Sequence, residues 1–341
     1  ISLPSHHHCI YWKCLILNLV LVFLLLKLET TVLLREHKKV GQNRMLAISQ
    51  SGENYYYLNW VPSEAGPMVT QHGSIKKELE NPDKIDEHYY EVLDEIFSNV
   101  KNGDPICTFS LDSSSVLFST CYAENNSEEM INWHLKQSRD EALNKIIDYY
   151  HYSFNPESGR VLNIGIPKTI RQSFNKNMSL LKAKMNGLSV GIFSAEVGAR
   201  QWMHAHKHES YLIWKIGKKK NDELLYINNE KLTTYFSFHR SEKKSKMNWQ
   251  FGDKNIAENI CQDIINVQNN NSKKFTSAQQ VYLYTADGNM KDVKFFHKLE
   301  IQNLTLLNPL LVLETAEDEK VHEYNTLALA ETGNSFGGID V

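Results

Sequence analysis

The sequence predicts an α/β protein with mixed sheets, built as two halves that each open on the same motif. Three observations carry that expectation. Along almost the whole chain, alternating or compactly apolar segments take turns with segments of 3.6-residue periodicity. A strand–glycine turn–strand pattern begins at Met45 (MLAISQSGENYYYLNW), and the same plan returns at Tyr211 (YLIWKIGKKKNDELLYI). Two like hairpins, one heading each half, point to a duplicated two-lobed fold rather than a solenoid of short repeats.

Residues 1–44 stand apart. The chain begins at Ile1, and its first methionine is Met45. The apolar run CLILNLVLVFLLL between them is shorter than the ~20 residues of a bilayer-spanning helix, and no small-residue cleavage pattern follows it. Three readings fit: upstream sequence translated past the true start, a truncated signal anchor, or a buried or disordered extension. The strand pattern starting at Met45 favours the first. His6–His8, Cys9 and Cys14 lie inside this segment and carry no weight as metal ligands. Beyond it, Cys107, Cys121 and Cys261 are scattered and show no CxxC spacing, which argues against a disulfide framework and a zinc site and fits a reducing compartment. A formal net charge of −3 lacks the basic excess of a generic nucleic-acid binder, so no nucleic-acid partner is expected.

The elements follow in order. The first hairpin turns at Ser51–Gly52. A helix over about Asp83–Val100 is set by Ile85, Tyr89, Val92, Leu93, Ile96 and Phe97 at helical spacing. Pro105–Tyr122 reads as strand, serine turn (Ser113–Ser115) and strand, and Ser127 opens a helix running to Ile147. IDYYHYSF is extended, and Arg160–Ile166 is a compact buried-type strand. Pro167 starts a helix that ends at Asn186–Gly187 in C-cap fashion. A short strand, Val190–Phe193, and a helix, Ala195–Met203, lead to the second hairpin: strand Tyr211–Ile216, Gly217 turn, strand Glu223–Ile227. An Asn228–Asn229 turn then gives a third strand, Leu232–Phe238. A lysine-rich connector (HRSEKKSKMNWQFGD) precedes a helix, Asn255–Val267. Next come a polar loop (Asn269–Lys274), a strand (Gln280–Thr285), an Ala286-Asp287-Gly288 turn and a helix to about Leu299. A short strand at Leu304–Pro309 and an apolar helix at Glu323–Glu331 close the chain, with a frayed tail after Gly333.

In this order the elements resemble the actin-like ATPase superfamily, and within it the PilM-like proteins of type IV pilus assembly. LAISQSG is similar to the first phosphate strand-turn, YLIWKIG to the second, and VYLYTADG to the adenosine-contacting turn. RVLNIGIPKTIRQSFNKNMSLLKAKMNGL and NTLALAE match the family's helix segments in order. The resemblance implies an α/β, actin-like (ribonuclease H-like) duplicated fold with an inserted subdomain. Its first lobe would span 45–210 with the insertion at about 105–190, and its second lobe 211–341. It also implies ATP and Mg²⁺ as ligands, with Ser49, Ser51, Gly52, Gly217, Lys218, Ala286, Asp287 and Gly288 at the nucleotide positions.

The departures fall on those positions. Such proteins carry an aspartate on each phosphate strand, whereas Ser49 and Lys215 stand there in this chain. The adenosine turn needs paired glycines for close backbone approach and reads Ala286-Asp287-Gly288. Without those carboxylates a Mg²⁺ ion lacks hard-oxygen ligands on the strands, and hydrolysis lacks its charge-neutralising parts. No catalytic residue and no metal ligand is therefore assigned, and weak or absent ATPase activity is expected. The resemblance implies a cytoplasmic adaptor of a pilus or secretion platform, peripheral at the inner membrane. It would bind the cytoplasmic tail of a small bitopic membrane protein and possess a capacity for self-association. The alternatives are an ATPase or phosphotransferase using displaced residues, and a filament-forming actin-like protein.

Other features read more plainly. Lys218–Lys220 form a solvated turn more readily than a phosphate grip. His204, His206 and His208 read as a polar loop, since no second cluster supplies further metal ligands. Tyr55–Tyr57 and Trp60 read as strand packing, and Lys243, Lys244 and Lys246 as a solvated connector. There is no G-x-S-x-G elbow, and GKKKND lacks the spacing of a P-loop.

Overall fold

Two sheets share one strand order. In the computed structural model, which describes residues 44–64, 66–100, 105–122, 147–153, 160–242, 245–316 and 324–336, the first sheet opens with β1 (Met45–Ser51), β2 (Asn54–Ser63) and β3 (Gly66–Lys76) as an antiparallel meander. Helix α1 (Ile85–Asn99) leads to β4 (Ile106–Leu111), which pairs parallel with β1. Three strands then form a separate antiparallel sheet: β5 (Leu117–Tyr122), β6 (Ile147–Ser153) and β7 (Arg160–Pro167), in the order β5-β7-β6. Helix α2 (Lys168–Leu180) returns the chain to β8 (Lys184–Val190), parallel to β4. Helix α3 (Gly191–Trp202) completes this half.

The second sheet repeats the plan. Strands β9 (Ser210–Lys215), β10 (Asn221–Asn228) and β11 (Lys231–His239) form an antiparallel meander extended by β12 (Lys246–Gly252). Helix α4 (Lys254–Gln268), β13 (Gln280–Tyr284), α5 (Met290–Lys298) and β14 (Leu304–Leu306) follow, with β13 parallel to both β9 and β14. Each half thus shows the order 3-2-1-4-5, three antiparallel strands and then two parallel ones. The fold is the actin-like, duplicated α/β architecture. Strand β15 (Glu314–Thr315) carries the chain back to pair with β3, and a closing 3₁₀ segment (Leu327–Ser335) lies against β1, β2 and β4.

The central strands are buried on both faces, as parallel pairing between covering layers requires. On β1, Leu46 and Ile48 pack with Val92 and Leu93 of α1, while Ala47 points the other way onto Leu329 of the closing segment. On β9, Tyr211–Trp214 are all buried.

The two halves exchange elements. Helix α3 follows the first sheet yet packs on β9 and β10, with Tyr211 donating a hydrogen bond to Glu196 at 2.6 Å. The closing segment follows the second sheet yet packs on the first: Trp60 Nε1 donates to Ser335 Oγ at 3.0 Å, and the Trp60 and Phe336 rings stack at 4.4 Å. Where α3 and the closing segment cross, a Cβ on Gly333 would collide with the backbone of Ser194 and Gly198.

Several sequence expectations need correcting. The helix from Pro167 ends at Leu180, because Lys182 takes the left-handed position (φ 56°) and Ala183 N bonds back to Met178 O at 2.9 Å. That is a Schellman closure reached without glycine. Gly187 instead lies inside β8, beside a register shift opposite Cys107 and Thr108. Ile192 and Phe193 belong to α3, not to a strand. The stretch between the first hairpin and the first helix forms strand β3, and the connector's KMNWQFG forms edge strand β12, so Lys246 opens a strand. The closing segment is 3₁₀ and extends to Ser335, and Gly333–Ser335 are buried rather than frayed. The segment 1–43, the helix expected after Ser127, and Lys243 and Lys244 lie outside the described residues.

Gly333→Ala tests the crossing. The added methyl has no space, so overpacking should cost about 1–3 kcal/mol in urea unfolding. Unchanged stability would show that the two backbones do not meet there.

Candidate functional site

The site is built from the hairpin turns of the two halves and from the closing segment. At the first hairpin Gly52 adopts φ +57°, a left-handed conformation suited to glycine. Its amide donates to Asp112 Oδ2 at 3.0 Å. Asp112 follows β4 and caps the Ser113–Ser115 turn, Oδ1 accepting from the Ser114 amide (2.9 Å) and hydroxyl (2.6 Å). Ser49 and Ser51 are buried in β1, and Ser49 Oγ has no hydrogen-bond partner among the described residues.

At the second hairpin Gly217 has an ordinary φ of −98°, but a Cβ there would run into the Asn221 carbonyl across the turn. Glycine is required by close approach rather than by handedness. The Gly217 amide donates to Asp222 Oδ1 at 3.2 Å, and the Lys218 amide to Asp287 Oδ2 at 2.6 Å. Asp287 also accepts from Thr285 Oγ1 (3.0 Å), and Asn289 Nδ2 donates to the Gly217 carbonyl (3.0 Å). The structure therefore joins Gly217 and Lys218 to the Ala286–Gly288 turn, in which Ala286 is buried and Gly288 has φ +81°. The side chains of Lys218, Lys219 and Lys220 are exposed.

Behind the turn, Asp222 is fully buried and accepts from Trp214 Nε1 (2.9 Å) and Arg240 Nε (2.8 Å). Arg240 reaches on to Asp292 at 2.6 Å. Burial raises the Asp222 carboxyl above its usual range despite Arg240.

Lys215 is the centre of the arrangement. It ends β9, is 5% exposed, and places Nζ 2.8 Å from Glu331 Oε1 and 4.0 Å from Glu223 Oε1. Glu331, on the closing segment, is 0% exposed and accepts from Tyr284 OH at 3.0 Å, and Oε2 has no partner among the described residues. Glu223 accepts from Tyr235 OH (2.9 Å) and Ser113 Oγ (2.8 Å). A Cβ on Gly191 would strike the Glu331 carboxyl, so helix α3 must begin with glycine there.

These groups shift one another. Burial opposes the Lys215 charge, but Glu331, Glu223 and Asp112 outweigh it and raise the ammonium pKa. Burial pushes Glu331 up to about 7 in spite of Lys215. Burial also disfavours the charge on Asp112, yet Lys215 and the Ser114 and Gly52 amides hold its carboxyl below the usual range.

Sequence reasoning placed Lys215 but missed Asp112, Asp222, Glu223, Arg240 and Glu331. A lone acid in the apolar run NTLALAE and a lone cation in YLIWK were a usable signal, since an unpaired buried charge is costly and each implies a partner. Elsewhere, Tyr55 and Tyr57 are core residues, with Tyr55 OH 2.7 Å from His88 Nε2. The His204 and His206 rings lie 5.9 Å apart, and no group of three or more His, Cys, Asp or Glu side chains suited to a metal ion occurs among the described residues.

No protein-family model and no curated protein sequence matches the chain. Among solved structures, it is similar to a chain of a PilM–PilN type IV pilus biogenesis complex. The TM-score is 0.54 and the identity 12%, covering 86% of this chain and 99% of that one. It is also similar to a Bacteroides thetaiotaomicron protein with an actin-like ATPase fold and unknown function (TM-score 0.42, 10% identity, 79% and 92% covered). A third is the cytoplasmic domain of EpsL, an inner-membrane component of the Vibrio cholerae type II secretion system (TM-score 0.41, 12% identity, 86% and 94% covered).

Glu331 makes stability depend on pH with a definite sign. Between the ordinary carboxyl value of 4.5 and about 7, the folded state keeps a proton on Glu331 that the unfolded chain releases. The folded state then binds more protons, so this group's contribution falls as pH rises through that window. It is faced by Lys215 from β9, Glu223 from β10, Asp112 after β4, Tyr284 from β13 and Tyr56 from β2. Denaturant midpoints should show wild type losing ground to Glu331→Gln as pH rises across the window. Parallel pH profiles would contradict the assignment.

Proposed function

We propose that the chain is an actin-like adaptor that binds a partner protein and does not turn over ATP. The observation that carries this reading is that the hairpin amides and the strand cation are already paired inside the chain. Asp112 accepts from Gly52, Asp222 from Gly217 and Asp287 from Lys218, while Glu331 pairs with Lys215. A nucleotide phosphate held by those amides would have to displace carboxylates, and it would meet their charge. A Mg²⁺ ion would meet the Lys215 ammonium on β9, where a hard oxygen donor is needed. The residues present do not fit a metal-bound nucleotide.

The likeness to a chain of a PilM–PilN complex supports a place in a pilus or secretion assembly, in contact with the cytoplasmic tail of a small inner-membrane protein. In this reading the chain works in the cytoplasm at the membrane surface. No helix among the described residues is long and apolar enough to cross a membrane. Among the described residues no strand pairs with the outer edge of β8, an end strand of the first sheet, and an extended tail could add there. Beside it lies a recess of about 150 Å³ lined by Phe174, Met185 and Leu188 with Arg171.

Two measurements test this. With Mg²⁺–ATP at millimolar concentration, thermal melting should not shift, whereas a site filled at 100 times its Kd would gain ~2.7 kcal/mol. A clear shift with turnover would overturn the proposal. Cytoplasmic-tail peptides from single-span proteins encoded beside this chain should bind wild type and lose at least about tenfold in affinity with Met185→Glu, a charge placed beside Phe174 and Leu188 in the recess. Absence of any binding tail among them would remove the adaptor role.

A further inference from the structure

We infer that the Lys215 cluster is a lock between the two halves, holding them in one fixed arrangement. The inference stands whichever partner the chain serves. Its basis is the way each member of the cluster belongs to a different element. Lys215 and Tyr284 project from β9 and β13 of the second sheet, and both hold the Glu331 carboxylate. Glu331 rides on the closing segment, which is bound to the first sheet through Trp60–Ser335 and Asn334 Nδ2–Phe109 O (3.4 Å). A second strut runs the other way: Ser113, after β4 of the first sheet, donates to Glu223 on β10 of the second. Asp112, beside Ser113, ties the first hairpin to the same point through the Gly52 amide.

Rotation of one half against the other would have to part these contacts together. Lys215 and Glu331 are both sealed from water, so partial opening would leave an ionised group buried without its partner. At the crossing of α3 and the closing segment, Gly333 lies against the backbone of Ser194 and Gly198. The cluster adjoins that crossing, since Gly191 at the start of α3 lies against the Glu331 carboxyl.

A purely structural role predicts something different from a lock, and one variant separates them. Lys215→Met/Glu331→Leu removes the closest charge pair and keeps similar volume, while Glu223 keeps its Tyr235 and Ser113 donors, so the melting temperature should fall less than in either single variant. Hydrogen exchange on the full chain then reads the lock. Amides of α3 (Gly191–Trp202) and of the closing segment (Leu327–Ser335) should exchange roughly tenfold faster than in wild type, while β2 and β11 keep their protection. Ser113→Ala should move the same segments in the same direction. Wild-type protection at those segments in the double variant, or a uniform loss across all strands, would overturn the inference.

Discussion

The pairing of Lys215 with Glu331 is the constraint on which the arrangement of the two halves depends. A charge at the end of an otherwise apolar central strand is tolerable only if an opposite charge reaches it inside the protein. That partner comes from the far end of the sequence, on a segment that has left its own half to cover the other half's sheet. The ion pair and the exchange of elements therefore support each other. The pair holds the closing segment at depth, and the segment seals the pair from water.

The same logic extends to the turns. Backbone amides at strand–glycine turns need acceptors, and here carboxylates of this chain supply them: Asp112 at the first turn, Asp222 and Asp287 at the second. Asp222 is buried against Arg240, and Asp287 is held by Thr285. Acceptors built into the fold are always present, so the geometry of both turns is set without a diffusible anion. A scaffold that must offer one constant surface gains from that arrangement. An enzyme that must open and close around a substrate does not.

Much of the architecture was legible in the sequence because its signals are local. Gly52 marks a turn in the left-handed conformation that favours glycine, Gly217 marks one whose close approach only glycine fits, and the alternation of strand and helix patterns gives the duplicated α/β class. What stayed hidden depends on long-range partners. Strand β3 carries Gln71, His72 and Ser74 and looks like a loop until β2 lies beside it. Strand β12 is an edge with polar and lysine residues, where propensity is weak. Lys182 closes a helix in a conformation usually reserved for glycine, so Asn186–Gly187 gave a plausible but false stop. Asp112 and Glu331 sit far in sequence from the groups they pair with, and only tertiary contact identifies them, whereas Asp222 and Glu223 lie in the same hairpin as Gly217 and Lys215.

A double-mutant cycle on Lys215 and Glu331 tests the central claim most directly. Urea unfolding of Lys215→Met, Glu331→Leu and the combined variant gives the coupling between the two positions. At about pH 8, above the Glu331 value, each single change leaves a buried group without its opposite charge and should cost about 3–5 kcal/mol, whereas removing both should cost far less. A coupling of at least ~2 kcal/mol is the predicted result. Additive losses, with no coupling, would mean that the pair does not organise the structure.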